Sequence, residues 1–178
     1  MIKKQLIFNF LLILFIFFLD RISKIYILNL AENLNKLDIK INSFLNIILV
    51  WNTGIGFGLF QFDASLIYNV ITILIIIINI VIIYMLIKSD VLHKILFSMI
   101  LGGSLGNLYD RLYYSAVPDF IDLNYNGYHW FVFNVADIFI TLGILILISN
   151  EILKKDEKKT NNIFNFVTFY IFMYRIRI

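Results

Sequence analysis

Long apolar runs, rather than short alternations, organise this chain. Four of them are long enough to cross a hydrocarbon core of roughly 30 Å, at about residues 5–28, 66–87, 95–112 and 131–153. The first contains "LIFNFLLILFIFFL", broken only by Asn9, and the second, "LIYNVITILIIIINIVIIYMLI", is the cleanest. Glycines punctuate the third, and the fourth holds a carboxylate, Asp137, within its first half. The connection at 31–65 behaves differently. Its "KLDIKINSF" alternates polar with apolar residues and its "LNIILVW" is rich in β-prone types, which predicts a small strand-rich platform. A second connection covers 113–130. Beyond the fourth run, "KKDEKKTNN" is a solvated charged stretch, and "IFNFVTFYIFMYRIRI" (163–178) is too short for a comfortable span. An interfacial helix with Arg175 and Arg177 at headgroup level is expected there.

Composition agrees with a membrane protein. Of 178 residues, 61% are hydrophobic and 15% charged, with a mean hydropathy of +0.87, well outside the range of ordinary water-soluble domains. Lys3 and Lys4 imitate the start of a secretory signal, but "DRISK" follows the apolar run where a small-residue cleavage site would stand, so the first span reads as an uncleaved anchor. If the spans alternate, Lys3, Lys4, Lys88, Lys94, Lys154, Lys155, Lys158 and Lys159 fall on one side. The positive-inside rule then places both termini in the cytoplasm and both long connections outside. The net charge of +3 therefore speaks of orientation, not of nucleic acid. The expected fold is an all-α membrane protein of four transmembrane helices, with a small extracytoplasmic β-rich platform between helices 1 and 2. It forms one domain over 1–153, followed by a charged linker and apolar cytoplasmic tail at 154–178.

An ionisable residue in a span is costly, and that cost makes it a candidate for function. In the first span Asp20 and Lys24 lie four apart on one helix face, acid first, the better order for an ion pair; a structural pair snorkelling to the outer interface is the expectation. In the third, Gly102 and Gly106 have the spacing that lets helices approach closely in lipid, and Asn107 shares a face with Asp110 and Arg111. Arg111 is expected to pair with a carboxylate. In the fourth, Asn134, Asp137 and Thr141 form one polar stripe facing protein, and counting from Phe131 puts Asp137 about 9 Å below the rim. The partner for Asp137 is sought in "SAVPDFIDLNYNG" (115–127). Asp119 follows the one proline and precedes apolar residues, so it packs on the membrane rim and folds back onto Asp137; Asp122 is expected to be solvated. Two carboxylates meeting in a partly dry cleft repel each other enough to hold one proton between them. One then draws a proton from water while its partner donates to a carbonyl oxygen, which is peptide hydrolysis by an aspartic pair. With no cysteine, and with His93 and His129 on opposite sides, neither thiol nor metal chemistry competes. The glycines of "NTGIGFG" suggest a lid over residues 52–60 rather than a phosphate loop, since no lysine or strand-to-helix context follows.

Five stretches in order, "DRISK" (20–24), "WNTGIGFGLF" (51–60), "GGSLGNLYDR" (102–111), "VPDFI" (117–121) and "FNVADIFITLG" (133–143), resemble lipoprotein signal peptidase, the signal peptidase II family. The resemblance implies a bacterial inner-membrane aspartic endopeptidase with Asp119 and Asp137 as the catalytic pair. It implies substrate-lining roles for Asn52, Gly54, Asn107, Arg111, Asn134 and Ala136, and supporting roles for Asp20, Lys24 and Asp110. Its substrate would be a diacylglyceryl-modified prolipoprotein, cut just before the modified cysteine near the outer face. It would use no metal or cofactor, act as a monomer among membrane lipids, bind no nucleic acid, and be a target of the cyclic peptide globomycin. Pro118 and Ile55 depart from the family pattern, and the apolar tail exceeds it. The rival readings are a proton-coupled transporter, whose acids should line a path across the bilayer, and a structural membrane subunit, whose polar stripe would be an assembly seam.

Overall fold

A computed structural model describes residues 2–34, 36–54, 64–125 and 128–153. The expectations for Ile55, for most of the lid, and for the linker and tail at 154–178 lie outside the described residues. Among the described residues there are four helices: α1 (Ile2–Leu34), α2 (Ala64–Lys88), α3 (Val91–Tyr114) and α4 (Val135–Leu153). Each is long and apolar enough to cross a membrane. Four strands, β1 (Asp38–Lys40), β2 (Leu45–Asn52), β3 (Val117–Tyr125) and β4 (Tyr128–Phe133), form one antiparallel sheet in the order β1-β2-β3-β4. The platform is therefore built from both long connections, not from the first alone.

Helix α3 is the centre of the bundle. It packs against α1, α2 and α4, and glycines set the distances to α1 and α4. A Cβ on Gly102 would stand 2.9 Å from the Ile13 carbonyl oxygen of α1, and one on Gly103 2.6 Å from that of Ala136 in α4. Such approach matters in lipid, where close van der Waals packing rather than hydrophobic burial joins helices. The apolar core follows, with Ile78, Ile82, Leu96, Phe97, Ile100, Ile140 and Leu147 interlocked. Leu6, Phe10, Ile22, Ile73, Ile80, Leu142 and Leu145 point outward and exposed, as a lipid-facing surface requires.

At 33 residues, α1 is about 50 Å long at 1.5 Å per residue, longer than the hydrocarbon core. Its last turns serve as a post for the sheet: Ile27, Leu30 and Ala31 pack with Leu37, Ile39, Ile47 and Phe120. The fourth span starts later than its hydropathy suggests. Residues Phe131 to Phe133 belong to β4, and α4 begins at Val135, so the depth of Asp137 counted from Phe131 does not hold; Asp137 lies in the first helical turn. Aromatic and β-branched residues satisfy either a strand or a span by hydropathy alone, and here pairing with β3 decides.

Candidate active site between the sheet and the helix ends

Two carboxylates reach one cavity from different secondary structures. Asp119 is carried by β3, opposite Val50 of β2, and Asp137 by the first turn of α4. Both are buried, at 2% and 7% exposure, and both line a cavity of about 450 Å³ together with Asn52, Leu123, Phe131, Phe133, Ile138, Thr141 and Leu142. Thr141 is exposed on that wall, so the polar stripe of α4 ends in the cavity rather than against protein.

Asn134 joins the acids. Its Nδ2 donates to Asp119 Oδ1 at 2.6 Å, while its Oδ1 accepts the backbone N–H of Asp137 at 3.1 Å. The backbone N–H of Asn134 donates in return to Asp137 Oδ2 at 3.2 Å. This reciprocal pairing across three residues is a capping box, which satisfies donors that a helix start would otherwise leave orphaned. Asn134 is thus the residue before the helix, not a member of its stripe. On the strand side, Asn52 Nδ2 donates to Asp119 Oδ2 at 2.8 Å, and the orientation of that amide is set by the N–H of Gly54, which donates to Asn52 Oδ1 at 2.8 Å. Gly54 sits at φ +78°, and a Cβ there would stand 2.8 Å from a terminal guanidinium nitrogen of Arg111. Both facts favour glycine. Arg111 is buried, its guanidinium carbon lies 5.4 Å from the centre of the Tyr68 ring in a cation–π contact, and its carbonyl accepts the Tyr68 hydroxyl at 2.6 Å.

Behind Asp137 lies a second polar layer. Asn107 Nδ2 donates to Asp137 Oδ1 at 2.8 Å, and Asn107 Oδ1 accepts Lys24 Nζ at 2.8 Å. Lysine has only donors, so its contact fixes which end of the Asn107 amide faces Asp137. Lys24 also donates to Asp20 Oδ2 and Asp110 Oδ2, each at 2.7 Å, and Arg21 pairs with Asp110 at 2.6 Å. Asp20 Oδ1 accepts the N–H of Ala136 at 3.0 Å, capping α4 from α1. The snorkelling expectation for Asp20 and Lys24 is overturned, since both side chains are fully buried. A lone pair of charges would seek water, but two acids and two cations shared between α1 and α3 supply one another's partners. Arg21 carries no comparable signal in the sequence, because no i,i+4 rule reaches across to Asp110 on α3.

Asp122 also departs from expectation. It is 0% exposed, and its Oδ2 lies 2.8 Å from His129 Nδ1 and accepts Asn46 Nδ2 at 3.2 Å. The expectation of a solvated side chain ignored the cross-strand neighbours that a sheet supplies. All the candidate residues thus gather at the sheet end of the bundle. At the far end, His93 bridges Asp90 and Glu151 at 2.8 and 3.1 Å. Between the two ends, no carboxylate stands in the described helices, which deprives a transmembrane proton path of stepping stones.

A family model described as Signal peptidase (SPase) II matches residues 12–153. The chain belongs to the signal peptidase II family. All five sequence stretches that pointed to signal peptidase II fall within the matched region. The chain is 54% identical over 158 residues to the lipoprotein signal peptidase of Pelagibacter ubique (strain HTCC1062), covering 89% of this chain and 95% of that protein. It is 42% identical over 142 residues to the lipoprotein signal peptidase of Wigglesworthia glossinidia brevipalpis, covering 79% and 92%. Two bacterial membrane enzymes solved by the in meso method, at 2.3 and 1.9 Å, share the fold of this signal peptidase II chain with TM-scores of 0.67. Their identities are 28% and 29%, and the matches cover 85% and 83% of this chain and 91% and 93% of theirs.

Proposed function

We propose that this membrane peptidase removes signal peptides from prolipoproteins, cleaving before a diacylglyceryl-modified cysteine with water activated by Asp119 and Asp137. The observation that carries the reading is the grip of Asn134 on both acids at the wall of one cavity. In the reaction one carboxylate takes a proton from water as the water oxygen attacks the scissile carbonyl carbon. The other gives a proton to the carbonyl oxygen, forming a gem-diol. Collapse of that intermediate breaks the C–N bond, with a proton passing to the leaving amine. Asn52, Asn107 and Asn134 hold the acids in register for these transfers. Gly54 and Arg111 back Asn52, Ala136 supplies a capped N–H, and Asp20, Lys24 and Asp110 support Asn107 from behind.

Location supports the same substrate. Lys88 and Lys94 flank the turn at the end of the bundle away from the sheet, so the positive-inside rule favours a bacterial inner membrane with cytoplasmic termini and an outward-facing sheet. The apolar cavity wall of Ile138 and Leu142 suits a substrate whose acyl chains stay in lipid while its peptide bond reaches the rim. The test is cleavage of a lipidated precursor by the reconstituted full chain, with Asp119→Asn and Asp137→Asn as variants. Each is expected to lower turnover by about 10²–10⁴-fold while leaving expression and thermal unfolding unchanged. Globomycin is expected to inhibit the unaltered protein. Cleavage retained in either variant rejects the pair.

A further inference from the structure

The two edges of the sheet are built differently. The β1 edge is three residues long and carries Asp38 and Lys40, the short, charged form that discourages further pairing. The β4 edge is six residues of "YHWFVF", without proline, lysine or acid. Among the described residues no strand pairs with its outer side, and no helix packs broadly against it. An unblunted edge of this kind is a template for another extended chain.

The cavity reaches that edge. Phe131, Val132 and Phe133 all line it, although successive strand side chains point to opposite faces. Three in a row on one cavity means that the space wraps around the strand edge instead of lying on one face. Its opposite wall is Ile138, Thr141 and Leu142 of α4, and the two acids stand at the end where β4 runs into α4.

Resting on the peptidase reading above, we propose that the extended segment preceding the cleaved bond docks as a fifth strand on the outer edge of β4. Direction follows from topology. β4 leads into a membrane-crossing helix and so runs toward the bilayer, whereas a signal peptide with a cytoplasmic N-terminus runs out of it. The added strand is antiparallel, like every other pair in the sheet. Main-chain hydrogen bonds then supply affinity across varied sequences, while alternate side chains enter the apolar cavity.

The test is an ester scan of a synthetic diacylglyceryl-cysteine precursor peptide. Each amide before the cleaved bond is replaced in turn by an ester, which removes one N–H, and kcat/KM is measured with the full-length protein. Strand docking directs every second N–H to β4, so losses of about five- to tenfold are expected at alternate positions and less than about twofold between them. A flat profile, or equal loss at every position, overturns strand docking while cleavage of the parent peptide leaves the peptidase reading intact. A parent peptide that is not cleaved at all, although globomycin-free protein is folded, overturns both.

Discussion

Two pairs of buried acids lie side by side at the sheet end of the bundle and are held differently. Asp20 and Asp110 are clamped by Lys24 and Arg21 at 2.6–2.7 Å, with no part in lining the cavity. Asp119 and Asp137 accept from the amides of Asn52, Asn107 and Asn134 and open onto the cavity. Cations spent on the first pair make it a joint between α1 and α3. Amide donors orient the second pair at the cavity wall, where water and a peptide can arrive. On the peptidase reading proposed above, burial of a carboxylate does not by itself distinguish glue from chemistry; the kind of partner and access to a cavity do.

Loss of Lys24 strikes the joint hardest. Lys24→Met leaves Asp20 and Asp110 facing each other in a dry site and is expected to cost about 3–5 kcal/mol, read as a lower unfolding midpoint and poor yield in detergent. Normal stability would mean that the first pair is not a joint. Gly106→Ala comes next. Its Cβ would stand 2.5 Å from Asp20 Oδ2, so overpacking should cost about 1–3 kcal/mol in the same thermal assay; a neutral result would show that α1 can back away freely. Asn52→Ala sharpens the other side. It removes one donor from Asp119 at a half-buried position, so kcat should drop about tenfold with the unfolding midpoint nearly unchanged. An equal loss of stability would place Asn52 with the joint. His129→Gln is the smallest change. His129 is 56% exposed beside Asp122, and a contact so open to solvent contributes about 1 kcal/mol or less, with no effect on cleavage; a large loss of turnover would move Asp122 into the reacting group.

Hydropathy made the four helices legible because a bilayer leaves few alternatives for a long apolar run. Alternation made β1 and β2 legible, and spacing brought Asp119 and Asp137 forward as partners. What stayed hidden depends on contacts between distant segments. Phe131 to Phe133 read equally as the start of a span, and only pairing with Ile121 and Leu123 assigns them to β4. Asp122 looked solvated until Asn46, 76 residues away, crossed the sheet to meet it. Arg21 has no acid one turn away in α1, and its close partner Asp110, at 2.6 Å, comes from α3.

Asn134 touches strand and helix with the two unlike ends of one carboxamide. Turned over, it would set its oxygen against an acid of β3 and its NH2 against an N–H of α4, so both contacts would become repulsive together. The docking of sheet on bundle is in this sense keyed: an arrangement with the wrong polarity rejects itself, and a strand and a helix that fold apart are indexed to each other at the two atoms of one amide.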